Sequence, residues 1–429
     1  MSQTIKDNSN EFAIELDNQD ELKDYRSKFH LPQHQGNDVI YLVGNSLGLQ
    51  PKSAVDFVAK ELESWKLNGV EGHFIGENPW YSYHEWFKNP VARLVGAKPH
   101  EVVVMNNLTV NLHLMMISFY KPKGFRKKIL VEKGAFPSDY YAVESQIKLH
   151  GGNPDIDMIE LETDKNNIVT TAEIQRQIED IGDELALILL GGVNYYTGQA
   201  FNMKAITQTG HKVGANVGFD LAHAAGNIML ELHDWNVDFA VWCTYKYLNS
   251  GPGGTSGAFI HEQHASNPNL NRLAGWWGHD SDTRFQMKKG FNPSYGADGW
   301  QLSNAQILPM AVHRASIEIF DEVGMDKLRS KSIRLTNYMS DILMDKVNQN
   351  ELNCKIITPP ESEDRGAQLS LSFDGIGKEL FNRINLRGIV ADWREPNVIR
   401  VAAVPLYNSF IDVWNFVDII TEEYTIIRS

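Results

Sequence analysis

Short apolar runs alternate with amphipathic stretches through most of the 429-residue chain. Residues 102–105 are an apolar run of strand length, and residues 109–116 carry the apolar spacing of a helix that Pro122 ends. Ile129-Leu130-Val131 predicts a second strand, and Pro137 opens a helix through Tyr141, Val143 and Ile147 to Gly151. The alternation continues with a strand at 158–161, a helix at 171–181, an apolar run at 185–190 and a helix over 203–213. Strands follow at 216–220, 239–243 and 257–260. Strands alternating with helices of about ten to fifteen residues predict an α/β fold whose mostly parallel sheet is covered on both faces. Ligands of such sheets sit beyond the carboxyl ends of the strands.

The pattern changes after Asn304. Long helical stretches at 307–323 and 325–347 lead to a strand at 355–358, an alternating strand at 368–373 and a last helix from about Ser409. These features predict a large domain over 51–305 and a smaller C-terminal α/β domain over 306–429, with the N-terminal segment 1–50 packed against the smaller one. A helix is expected from Pro51 through Val55, Val58, Leu62 and Trp65 to a stop at Gly69. The chain holds no low-complexity tract and no fixed-period repeat.

Charge narrows the partners. Lys and Arg total 40 against 54 Asp and Glu, a formal net charge of −14, which disfavours nucleic acid and anionic membrane surfaces. No apolar run approaches the ~18–20 residues of a spanning helix. The polar, acidic N-terminus lacks the basic and apolar regions of a secretory signal, so a cytoplasmic location is expected. Two distant cysteines, Cys243 and Cys354, offer neither a disulfide framework nor a CxxC metal knuckle. His261-Glu262-Gln263-His264 lacks a third ligand at suitable spacing, so no metal site is expected. Among ten Trp, some are expected to line a site for a planar ligand.

The strand ends carry the chemistry. Asp220 closes one apolar run and Lys246 follows the next, so neighbouring parallel strands bring both to one rim of the sheet. A lysine amine beside a carboxylate is what a pyridoxal phosphate enzyme needs: the amine bonds the cofactor aldehyde, and the carboxylate keeps the ring nitrogen protonated. Spacing alone is equally satisfied by a surface lysine and a loop aspartate. Gly251-Pro252-Gly253-Gly254 precedes a strand rather than a helix, which argues against a dinucleotide loop. Asn107-Leu108-Thr109-Val110 sits at a strand-to-helix turn, with Thr109 placed as a helix cap and a phosphate ligand. At the next such turn, Phe136 is placed to stack on a planar ring and Asp139 to meet its face, unless the segment is only a Pro-led acidic first turn.

The segments GNSLGLQP, NNLTVNLHLMM, AFPSDYYAVESQIKLHGG, DLAHAAGN, CTYKYLNSGPGG, GWWGHD and IRVAAVPLYNSF together resemble the kynureninases, pyridoxal phosphate enzymes of the aspartate aminotransferase fold (fold type I). The resemblance runs from about Tyr41 to Asp412. It implies a homodimer that hydrolyses L-kynurenine, and 3-hydroxykynurenine, to L-alanine and the corresponding anthranilate, in tryptophan degradation or NAD biosynthesis. Lys246 resembles the cofactor-bonding lysine, Asp220 the partner of the ring nitrogen, His223 a second pocket residue and Tyr245 a phosphate ligand. Tyr245 is also expected to relay a proton, its pKa lowered by the cofactor's charge. Leu108 and Thr109 match the phosphate-end turn, and Phe136, Pro137, Ser138 and Asp139 match the ring-stacking segment. Trp276 and Asn304 match residues that reach the site across a dimer interface. Arg400 resembles the arginine that pairs with the substrate carboxylate. His73, Ser303 and Asn304 match the aryl pocket, and Asn45 and Ser46 lie in the early GNSLG loop. Gly191 departs from the resemblance: relatives can carry a hydroxyl residue there, which leaves only backbone donors at that point. The rivals are a cysteine desulfurase, which needs a mobile nucleophilic cysteine, an aminotransferase of the same fold, and a non-catalytic protein that keeps the fold.

Overall fold

The computed structural model describes residues 8–267 and 269–429. Residues 1–7 of the expected N-terminal segment lie outside that description. Seven strands form the central sheet: β1 (Val102–Val104), β2 (Lys128–Val131), β3 (Met158–Glu160), β4 (Leu185–Gly191), β5 (Asn216–Asp220), β6 (Phe239–Trp242) and β7 (Gly257–Ile260). Their order is β1-β7-β6-β5-β4-β2-β3. The pairings from β6 through to β3 are parallel, and β7 runs antiparallel to both neighbours. The strands are buried runs rather than alternating ones, as helices on both faces require; β4 is buried at six consecutive apolar positions.

Helices α1 (Asn10–Asn18), α2 (Ala54–Asn68), α3 (Leu108–Phe119), α4 (Pro137–Leu149), α5 (Ile307–Val323), α6 (Met325–Asn348) and α7 (Phe410–Arg428) frame the rest of the argument. Helix α2 begins three residues later than expected. Pro51 stands outside it, its carbonyl accepting from Ala54 N, and Gly69 at φ +52° ends it. Val55, Leu62 and Trp65 on α2 are exposed, an apolar stripe with no cover among the described residues.

Four antiparallel strands build a second sheet: β8 (Lys355–Ile356), β9 (Gln368–Ser372), β10 (Asp392–Arg394) and β11 (Val398–Ala402), in the order β8-β9-β11-β10. Leu335 and Met339 of α6, Leu369 and Leu371 of β9, Ile399 of β11 and Phe416 of α7 share its core. The N-terminal segment docks on this sheet. Asp17 accepts from Phe410 N and Ile411 N at 2.7 and 3.0 Å, which caps α7. Asp20 and Lys331, both buried, pair at 2.7 Å. The short strand Ile40–Tyr41 lies parallel to Ile389–Val390. Helix α5 packs the other way: Met310, Ile317 and Phe320 are buried in the core of the large sheet. No described helix is long and apolar enough to cross a membrane.

Candidate active site

A cleft opens at the carboxyl ends of the parallel strands. Leu108, Thr109, Glu132, Phe136, Ser138, Asp139, Gly191, Tyr195, Asp220, His223, Tyr245 and Lys246 line it. One topological fact gathers them. Glu132 follows β2, Gly191 ends β4, Asp220 ends β5, and the Tyr245-Lys246 turn follows β6, so adjacent strands deliver them to one rim. The early GNSLG loop closes on the same turn. Gly48 N donates to the Tyr245 carbonyl at 2.8 Å, and a side chain at Gly48 would collide with the Lys246 carbonyl oxygen and Asn249 Oδ1.

Lys246 Nζ lies 3.1 Å from His223 Nε2. Burial first, then the charges of Lys246, Arg400 and Arg394, hold the His223 pKa well below its usual value, so the ring is neutral. With Nε2 accepting from the Lys246 amine, its proton sits on Nδ1, which is buried without a partner. Three carboxyl groups line the same cleft, two of which, Asp139 and Asp220, interact with the lysine. Burial raises Asp220, opposed by Lys246 and by the Ala222 N–H at 2.7 Å. Asp139 is raised well above the carboxylate range by burial and by Asp220, with which it shares a hydrogen bond. The two therefore hold one proton between them. Glu132 is raised by burial, against donors from Asn194 and Gly191.

These groups fit pyridoxal phosphate. A cationic ring N–H would relieve the crowding of Asp139 and Asp220, an acceptor oxygen would satisfy His223 Nδ1, and the lysine amine is in place. At the other end, Thr109 Oγ1 and Ser138 Oγ lie 3.0 Å apart, each in the first turn of a helix, α3 and α4. Those helix starts bring free N–H groups to the hydroxyl pair, a setting for a phosphate.

Several expected residues are placed differently. Thr109 is not the cap of α3: Asn107 is, accepting from Val110 N at 3.2 Å, which frees the Thr109 hydroxyl for Ser138. Pro137 opens α4 as expected but does not line the cleft. Phe136 is half exposed and meets Tyr195 edge-on at 5.5 Å between centroids. Burial first, then Cys243, push the Tyr245 phenol above its usual range; the expected lowering belongs to the cofactor's charge, which these protein groups do not supply. Asn45 is fully buried and donates to Gln368 Oε1 at 2.8 Å, so its amide braces the interior; Ser46 beside it is exposed. Trp276, Ser303 and Asn304 are exposed and outside the cleft of their own chain, and Trp276 Nε1 donates to the Arg284 carbonyl. His73 packs edge-on against Trp80 at 5.4 Å, also outside it. Arg400, on β11, is fully buried and already paired with Asp392, to which Arg394 also donates at 3.1 Å. Gly191 does use its backbone donor, but towards Glu132.

Sequence reasoning passed over Glu132, Gly48 and Tyr195. Glu132 was open to the rule that found Asp220, since it too is an acid closing an apolar run. Tertiary structure also supplies the third ligand that the His261 segment lacked: Glu101, His233 and His261 converge. Their atoms are engaged, however. His233 Nδ1 pairs with Glu101 at 2.9 Å, and Glu101 also accepts from Lys98 N and Glu262 N. His261 accepts from Gln263 N and approaches the His233 carbonyl at 3.3 Å, so the cluster reads as a structural network. Cys243 and Cys354 are both buried with raised pKa values, Cys354 pushed up to about 12 by burial, so neither is a mobile nucleophile.

Comparison with known proteins agrees with this geometry. Residues 328–420 match the kynureninase C-terminal domain model. The kynureninase of Flavobacterium psychrophilum is 55% identical over 413 residues, covering 96% of this chain and 97% of the relative. Those of Myxococcus xanthus and Koribacter versatilis are 53% and 52% identical, covering 96% and 97% of this chain and 96% and 98% of their own. Among solved structures, a cysteine desulfurase from Thermococcus onnurineus superposes with a TM-score of 0.75 at 17% identity, covering 94% of this chain and 98% of that one. A mutant of C-DES, with glycine covalently linked to its PLP cofactor, gives 0.73 at 14%, covering 89% and 96%. These structural likenesses establish the fold, and the full-length sequence relatives establish more: the chain belongs to the kynureninase family.

Proposed function

We infer that the chain hydrolyses L-kynurenine with pyridoxal phosphate, breaking the Cβ–Cγ bond to give L-alanine and anthranilate. The observation that carries the reading is Lys246 beside neutral His223 and the Asp139–Asp220 pair, in a chain of this family. Water supplies the balance: its oxygen joins Cγ to form the carboxylate, and a proton goes to Cβ to form the methyl group of alanine. Pyridoxal phosphate, when bound, supplies an electron sink conjugated to the substrate's α-carbon. The protein's own residues do the rest. Lys246 would hold the cofactor through its amine, and the same amine is the group placed to move the substrate's α-proton. Asp220, hydrogen-bonded to Asp139, would keep the ring nitrogen of the bound group protonated. His223 keeps the lysine oriented without adding charge, and Leu108, Thr109 and Ser138 bind the phosphate through hydroxyls and helix-start N–H groups. Arg400 binds the substrate carboxylate.

Tyr245, with its phenol held above the ordinary range, acts in this reading as a proton donor rather than a base. Tyr245→Phe is expected to lower kcat by ~10²-fold and to leave borohydride labelling of Lys246 intact. Unchanged turnover and pH profile would move the relay elsewhere.

The functional unit in this reading is a homodimer. Trp276, His73, Ser303 and Asn304 stand outside their own cleft and complete the partner's, with His73 and Asn304 available to a 3-hydroxyl group on the aryl ring. The uncovered Val55, Leu62 and Leu308 support a covered face there. Sedimentation of the loaded protein at twice the 48.5 kDa chain mass is the expected result. A cytoplasmic setting, supported by two unpaired cysteines, and a division near residues 50 and 305, with α5 packing back onto the large sheet, belong to the same proposal. The decisive assay adds kynurenine to the loaded protein. Fluorescent anthranilate and alanine in equal amounts are expected; a keto acid in place of alanine would make it an aminotransferase.

A further inference from the structure

Glu132 is a buried carboxyl that the chemistry above leaves unused. Both of its oxygens are engaged: Oε1 accepts from the Gly191 N–H, and Oε2 from Asn194 Nδ2 at 2.7 Å. The Asn194 amide is not free to turn over. Its Oδ1 already accepts from Tyr196 N at 3.0 Å, Thr197 N at 2.8 Å and Thr197 Oγ1 at 3.0 Å. It must therefore present its NH₂ group to Glu132, and two protein donors converge on one carboxyl group. Gly191 makes the room, because a side chain there would collide with Glu132 Oε1.

The same turn carries the Tyr195 carbonyl, which accepts from Arg400 Nη1 and from Gln368 Nε2, the latter at 3.1 Å. The Tyr195 ring lies 5.9 Å from the Arg400 guanidinium carbon. On its other side, Arg400 Nη2 is held by Asp392. Its Nε is buried without a partner, so the direction of that remaining donor follows from where Tyr195 and Asp392 hold the two Nη atoms. A continuous set of hydrogen bonds thus runs from the floor of the cofactor cleft to the arginine on β11.

We propose that Glu132 is a positioning residue for the substrate carboxylate: through Asn194 it fixes the turn whose Tyr195 carbonyl aims Arg400. The proposal rests on the reading of Arg400 as the carboxylate ligand. Glutamine cannot replace Glu132 in this role. It has one acceptor oxygen and one NH₂, so either Gly191 or Asn194 would face a donor, and one of the two bonds is lost.

The test compares L-kynurenine with kynuramine, the same molecule without its α-carboxylate, on the cofactor-loaded enzyme. For Glu132→Gln we expect KM for kynurenine to rise about tenfold, with kcat within about threefold and the inhibition constant of kynuramine within about twofold of wild type. Asn194→Ala should give the same split, and the double variant should be no worse than either single, as two parts of one link require. Equal weakening of both ligands, or a change in the cofactor's absorption with KM unmoved, would overturn the proposal. Arg400→Lys separates the two layers. If it keeps the preference for kynurenine, the Arg400 reading fails; if it loses the preference while Glu132→Gln and Asn194→Ala keep it, only the Glu132 proposal fails. Should Glu132→Gln not fold, Asn194→Ala decides alone.

Discussion

Lys246→Ala is expected to abolish turnover, by at least ~10⁴-fold, and to remove the visible absorbance that the loaded wild-type protein carries. The proposed role gives the lysine two duties in one atom: its amine would hold the cofactor covalently, and the same amine would move the α-proton. No neighbour takes over either. His223, 3.1 Å away, is neutral and deeply buried, and the nearby carboxyl groups cannot bond an aldehyde as an amine does. Borohydride treatment of the loaded wild type followed by peptide mapping should label Lys246, and the variant should carry no label. A variant that kept both colour and activity would sink the central assignment. The effect on folding should be small, since Lys246 is half-buried and lines an open cleft, and its amine is hydrogen-bonded to His223.

Asp220→Ala is expected to cost about 10³-fold in kcat while leaving the covalent attachment at Lys246 in place, so label and rate should separate. The physical reason is the proton balance at the closed end of the cleft. Asp139 is raised well above the carboxylate range by burial and by Asp220, which favours a proton shared by the pair, and the charge left on Asp220 would keep the ring nitrogen of the bound group protonated. Without Asp220, burial and Glu132 still raise Asp139, which favours its neutral form and makes it a poor substitute carboxylate. Asp139→Asn should therefore be much milder than Asp220→Ala. The reverse order, or a rate for Asp220→Ala within tenfold of wild type, would reassign the contact to Asp139.

The two sides of the site differ in how far they can be read from the chain. Asp220 and Lys246 each stand at the end of an apolar run, and the rule that ligands gather beyond the carboxyl ends of parallel strands needs only that local pattern. The element sequence is legible for the same reason: strands 216–220 and 257–260 and helices 171–181 and 307–323 are found where the periodicity predicts them. The shift of α2 to Ala54 is a local error of another kind, since Pro51 begins a turn rather than the helix.

What the pattern along the chain determines here is the class of fold, the order of its elements and the residues that end its strands, because these depend on neighbours within a turn or a strand length. Only the tertiary structure decides the state of the groups so gathered. Arg400 is bound to Asp392 and Tyr195, Asn45 is spent on Gln368 across 323 residues, and Glu132 reaches Asn194 across 62. Among the protein's own groups, burial and then Cys243 raise the Tyr245 phenol. Desolvation and hydrogen-bond partners are properties of packing between distant segments, and no local pattern encodes them.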